Sequence, residues 1–169
     1  MKRIAFLKEE ADKYIAERSS APCFICQIVA HEPIRERHEI VYEDEETIAF
    51  LSAKPTQYGQ LLVCPKRHVE QIVDDLNEDE YLKLQSIVYR MTRVIKKVTE
   101  AERIYIASFG SQQMNSHVHF HIVPISANTP IREQQMASMM PELVGYLELS
   151  PLEWKDLAAK LKVFFDTNN

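Results

Sequence analysis

At 169 residues, 46% hydrophobic and 27% charged, the chain is long enough to bury a real core and shows no sign of bulk disorder. A formal net charge of −5 opposes a general grip on polymeric nucleic acid, which favours a basic surface, yet leaves room for small nucleotides held by local donors. No apolar run approaches the roughly 18 residues that span a bilayer, and the charged, amphipathic start is unlike a secretory leader, so a cytoplasmic protein is expected.

In chain order, Ile4, Leu7, Ala11 and Tyr14 recur at helical spacing and predict an N-terminal helix over 3–18, broken by Ser19-Ser20-Ala21-Pro22. A short element follows over 23–30. Residues 38–42 and 47–51 read as two strands around the acidic turn 43–46, which is most simply a solvent-facing turn. After a loop over 55–59, residues 60–64 form a third strand, stopped by Pro65. The clearest helix covers 78–99. Asn77 is its N-cap with Glu80 at the third helical position, and Tyr81, Leu84, Val88, Met91, Ile95 and Val98 form one apolar stripe. Residues 104–108 predict a strand, 109–116 a polar loop and 117–125 a further strand, whose Pro124 suggests an edge or a strand end. In the tail, Ser150-Pro151-Leu152-Glu153 is a complete helix start, and Trp154 is a packing anchor for that helix. Neither an internal repeat nor a long linker interrupts the chain, so a single domain is expected. Its three glycines leave no Gly-rich phosphate loop, and its three cysteines do not suggest a disulfide framework. Cys64 reads as a small buried hydrophobe, and His31 and His38 as surface residues.

Chemistry concentrates in His117-Val118-His119-Phe120-His121-Ile122-Val123, which holds half of the six histidines. Strand alternation sends the three imidazoles to one face and Val118, Phe120 and Ile122 to the core, leaving a row of imidazoles on the surface. Imidazole titrates near neutrality and serves as both nucleophile and proton carrier, so attack on phosphorus through His119 is one reading. A metal site built from alternate histidines is the rival.

The pattern His-φ-His-φ-His-φ-φ, with φ apolar, resembles the signature of the histidine-triad (HIT) superfamily, and the likeness runs over about residues 23–125. It includes Cys23-Phe24-Ile25-Cys26-Gln27-Ile28, then Glu43-Asp44-Glu45-Glu46-Thr47-Ile48-Ala49-Phe50 with Lys54-Pro55, then Gly59-Gln60-Leu61-Leu62-Val63-Cys64-Pro65-Lys66-Arg67-His68. The resemblance implies an α+β fold: a five-stranded antiparallel sheet with helices packed on one face, here extended by helical residues over about 130–169. It also implies that His119 attacks the α-phosphorus of a nucleotide, with His121 bonding the phosphate and Gln113 near the leaving group. A nucleoside monophosphate would then be released from substrates such as nucleoside phosphoramidates or dinucleoside polyphosphates. Asn115 and Ser116 would add donors, and Ser52 and Gln60 would stand at substrate-contact positions. The resemblance further implies a structural zinc on Cys23, Cys26, His68 and His117, and a homodimer. The chain departs from the family at three places: Ser52 where Asp or Asn is common, Gln60 where His is common, and a 109–116 loop about two residues short. Two other functions therefore stay open, a slow nucleotide-binding regulatory protein of this fold and a zinc-binding interaction module.

Overall fold

The computed structural model describes residues 1–34, 36–110 and 115–167. The chain opens with a strand, β1 (Lys2–Ile4), a helix, α1 (Lys8–Ser19), and a short helix, α2 (Phe24–Val29). Next come β2 (Ile40–Glu43), β3 (Thr47–Leu51) and β4 (Leu61–Pro65), a single turn α3 (Ile72–Asp75), and the long α4 (Glu78–Thr99). Strands β5 (Arg103–Ala107) and β6 (Phe120–Ile125) complete a five-stranded antiparallel sheet in the order β2-β3-β4-β6-β5. The tail holds two 3-10 turns, the short α5 (Pro141–Val144), β7 (Tyr146–Glu148) and α6 (Pro151–Thr167). Among the described residues, no helix is long and apolar enough to cross a membrane.

Register decides which side chains share a face. Phe50 pairs with Leu62, Leu62 with His121 and His121 with Ala107, so these four point the same way. Ala49, Leu51, Leu61, Val63, Phe120 and Ile122 point the other way, into a core with Leu84, Val88, Met91 and Ile95 of α4 and Trp154, Leu157 and Leu161 of α6. That apolar face is rigid because α4 is well specified. Asn77 Oδ1 accepts from Glu80 N at 3.0 Å, and Glu80 Oε2 accepts from Asn77 N at 2.9 Å. On the opposite face, α2 covers a smaller cluster of Ile25, Ile28, Ile48, Phe50, Leu62 and Cys64. The sheet is thus covered in part on its histidine face as well.

Three elements differ from expectation. The strand expected over 117–125 begins only at Phe120, so His117 and His119 precede it. The N-terminal helix begins at Lys8, because Lys2–Ile4 pairs as a strand with Tyr146–Glu148, a partner that local periodicity cannot reveal. The C-terminal extension correspondingly contains a strand as well as helices. Pro124 lies within β6, which stands between β4 and β5. It is tolerated because pairing with β4 covers Phe120 to Ile122 and ends there, so the Pro124 end of β6 bonds to β5 alone and is locally an edge.

The two termini clasp the β3–β4 loop. The Arg3 guanidinium donates to the carbonyls of Thr56 and Val144, each at 3.0 Å, and Leu147 N donates to Pro55 O at 2.7 Å. Thr56 Oγ1 donates to the Ser138 carbonyl, closing the clasp from the tail. Gly145 makes this crossing feasible: its φ is +70°, and a Cβ there would meet Ile4 O at 2.4 Å. Gly145→Ala should therefore lower the stability read by chemical denaturation by about 2 kcal/mol, from backbone strain and overpacking together. An unchanged denaturation midpoint would contradict this account of the crossing.

Candidate functional site

Residues 115–119 run beneath the loop that leaves β4, and four contacts stitch the two segments. Val118 N donates to Val69 O at 2.8 Å, and Ser116 Oγ donates to Glu70 Oε1 at 2.8 Å. His117 Nε2 lies 2.9 Å from the Pro65 carbonyl, which can only accept, so Nε2 carries the proton and Nδ1 keeps its lone pair. The fourth contact is a donor cluster. The ligand atoms of Cys23, Cys26, His68 and His117 all lie within 4.8 Å of one another.

That cluster fits a tetrahedral ion. Zinc bonds of about 2.3 Å to sulfur and 2.0–2.1 Å to nitrogen place neighbouring S and N donors roughly 3.5 Å apart. Cys23 Sγ and His117 Nδ1 are separated by 3.4 Å, Cys26 Sγ and His68 Nδ1 by 3.2 Å, and Cys26 Sγ and His117 Nδ1 by 3.6 Å. Tautomers agree as well: His68 Nε2 donates to Glu70 Oε1 at 3.2 Å, which leaves Nδ1 free to ligate. Burial holds His117 at a pKa of about 4, keeping it in the neutral form that binds metal. Burial and the adjacent Cys23 push the Cys26 thiol up to about 11, a penalty on the thiolate that a cation reverses. These four residues can hold a metal ion.

His119 and His121 share the next stretch of the same face, their ring centroids 4.8 Å apart in an edge-on arrangement. The expected surface row is corrected. His117 is fully buried, His119 is 6% exposed and His121 is half-buried: the Cys23 and Cys26 thiols, the His68 ring and the Pro65 carbonyl pack on His117, and the Phe109 ring lies near His121. Alternation itself holds, since Val118, Phe120 and Ile122 belong to the main core. His119 Nδ1 donates to the His117 carbonyl at 2.7 Å. Its Nε2 has no hydrogen-bond partner among the described residues. Burial lowers the pKa of His119, and burial together with His119 lowers that of His121 to about 3; both rings are neutral. A neutral imidazole with one nitrogen pinned and the other open is poised to act as a nucleophile.

The other predicted residues fall around this pair. The Asn115 amide nitrogen lies 3.5 Å from His119 Nδ1. Ser52, at the end of β3, bonds through its amide to Gln60 O at 3.0 Å and by alternation shares the face of Phe50 and His121. Gln60 is buried and braces its own loop, where its Oε1 accepts from Thr56 N at 2.7 Å, with Thr56 Oγ1 3.0 Å away. Gln113 lies outside the described residues. His38, expected at the surface, stacks on Phe24 at 5.5 Å and meets Phe50 edge-on at 5.2 Å, with both nitrogens sealed from solvent. It stands two residues before Ile40, which borders the smaller cluster, and it follows Ile40 onto that face. Sequence reasoning misses Glu70, although a carboxylate two residues beyond a ligating histidine is the signal that finds it.

Comparison with known proteins yields one consistent family. The HIT domain family model matches residues 35–128. An uncharacterized HIT-like protein of Methanocaldococcus jannaschii is 36% identical over 106 residues, covering 60% of this chain and 78% of that protein. A bis(5'-adenosyl)-triphosphatase of Dictyostelium discoideum is 34% identical over 89 residues, covering 51% of this chain and 59% of that protein. The crystal structure of a Zn-bound histidine triad family protein from Mycobacterium smegmatis superposes with a TM-score of 0.64 at 20% identity, covering 86% of this chain and 94% of that one.

Proposed function

The chain belongs to the HIT family, and from that premise we propose that it is a nucleotide hydrolase or nucleotidyl transferase acting at the α-phosphorus. One observation carries the reading: His119 has Nδ1 committed to the His117 carbonyl and Nε2 left open beside His121. In the first step the Nε2 lone pair attacks the α-phosphorus, an N–P bond forms, and the bond from phosphorus to the leaving group breaks, its electron pair departing with that group, which takes a proton from solvent water. In the second step water attacks the same phosphorus, the N–P bond breaks, and a nucleoside monophosphate departs. His121 bonds the phosphate oxygens and assists proton movement, Asn115 adds a donor, Ser116 does so only when its hydroxyl turns from Glu70 to the phosphate, Gln113 contacts phosphate near the leaving group, and Ser52 meets the ribose. Gln60 braces the loop through Oε1 and would offer its amide Nε2 at the substrate-contact position.

The substrate class is nucleoside phosphoramidates or dinucleoside polyphosphates, and the related triphosphatase of Dictyostelium favours the latter. Cys23, Cys26, His68 and His117 would hold a structural zinc, which supplies a cross-link between chain segments and neutralises the thiolates. We read the chain as one domain that pairs with a second copy across the free edge of β5, where Ile106 is exposed. Its three unpaired cysteines suit a reducing compartment such as the cytoplasm. The test is a panel of dinucleoside polyphosphates and nucleoside phosphoramidates, read by release of nucleoside monophosphate. Turnover of at least one class is expected. Tight nucleotide binding with no turnover of any of them would replace this reading with that of a regulatory nucleotide-binding protein.

A further inference from the structure

We infer that Glu70 is a positioning residue that couples the metal site to the segment carrying His119. The inference rests on the metal reading above. One carboxylate oxygen, Glu70 Oε1, accepts from His68 Nε2 at 3.2 Å and from Ser116 Oγ at 2.8 Å. The first bond fixes the tautomer of His68 and directs its Nδ1 lone pair toward Cys26 Sγ, 3.2 Å away. The second holds Ser116, the residue immediately before ligand His117 and three before His119.

The carboxylate can serve both partners because its own backbone is pinned. Glu70 N and Gln71 N each donate to Asp75 Oδ2 at 2.9 Å, and the preceding carbonyl, Val69 O, accepts from Val118 N at 2.8 Å. Arg67 Nη2 in turn donates to the Asp75 carbonyl at 2.8 Å and to Glu80 Oε1 at 2.9 Å, tying the loop to the start of α4. Glu70 therefore stands between a ligand imidazole and a substrate-side hydroxyl on a fixed backbone. A shift in either partner is felt by the other through a single oxygen atom.

Full-length protein loaded with zinc and competed with a chromophoric chelator provides the main measurement. Glu70→Ala should weaken zinc binding by about 10–100-fold, the scale on which outer-shell partners of ligating histidines act, and should raise KM for the nucleotide several-fold in metal-saturated protein. Ser116→Ala separates the two arms: zinc affinity stays unchanged, and combining it with Glu70→Ala raises KM no further than Glu70→Ala does alone. Glu70→Gln, which keeps an acceptor oxygen, should recover most of both properties and guards against a variant that fails to fold. Wild-type protein that binds no zinc would remove the metal reading and this inference with it. Wild-type binding with Glu70→Ala equally tight would overturn the role of Glu70 alone, as would a double variant whose KM rises by the product of the two single effects.

Discussion

His119→Asn should reduce turnover by about 10⁴-fold or more, the scale of loss when a covalent nucleophile is removed, while nucleotide binding and the thermal midpoint change little. The choice of asparagine follows from geometry. Its amide nitrogen falls near the position of Nδ1 and can still donate to the His117 carbonyl, a bond of 2.7 Å in the native chain. That contact belongs to the fold, so keeping it separates chemistry from stability. What disappears is Nε2, the ring nitrogen without a protein partner among the described residues. Intact mass measured after brief exposure to substrate supplies the second readout. Wild type should carry an added nucleoside monophosphate, and the variant should carry none. A variant that retains turnover within about tenfold of wild type, or an adduct that persists on another residue, would remove His119 from the mechanism.

The histidine pattern is readable because it rests on a short-range rule. Period-2 alternation assigns Val118, Phe120 and Ile122 to the core whatever the rest of the chain does, and these residues are core. The long helix is equally readable, its limits and capping box both following from Asn77, Glu80 and the apolar stripe. Exposure is not. Whether a strand face is open depends on what covers it, and here Cys23 and Cys26 beside α2 and the His68 ring pack on His117. The same limit hides β1, whose partner Tyr146–Glu148 lies near the other end of the chain. Gln60 shows the limit for a single side chain. Its position beside the phosphate-contact pattern is visible, but the claim of Thr56 on its Oε1 arises from a turn closed in three dimensions. Cys23, Cys26, His68 and His117 met expectation in another way. Their convergence follows from the family resemblance and not from spacing alone, since the pair of cysteines and the two histidines lie on three separate segments.

Those three segments give removal of the metal a large predicted effect. Without an ion, the fully buried His117 ring faces two thiols, one of them held at a pKa of about 11, and nothing but weak sulfur contacts joins α2 to the loop after β4 and to residues 115–119 through this cluster. Zinc present at a thousandfold above its Kd stabilises the folded state by about 4 kcal/mol. In a chain of this length that corresponds to a drop in Tm of about 10 °C when the ion is stripped. Cys26→Ser should give the same drop and should no longer respond to added zinc. The main core, built by α4 and α6 against the far face of the sheet, does not include the donor cluster, so far-UV circular dichroism should remain close to that of wild type. Turnover should nevertheless fall, because the link from the proposed ligand to the proposed nucleophile is short: a metal on Nδ1 and Pro65 O on Nε2 would hold the His117 ring, and the His117 carbonyl sets the tautomer of His119. A shift of that carbonyl lets the proton move to Nε2 and occupies the attacking lone pair. Chelation followed by zinc readdition should therefore restore Tm and turnover together. Protein that retains its Tm and its turnover after complete removal of metal would show that the four donors are not a structural site.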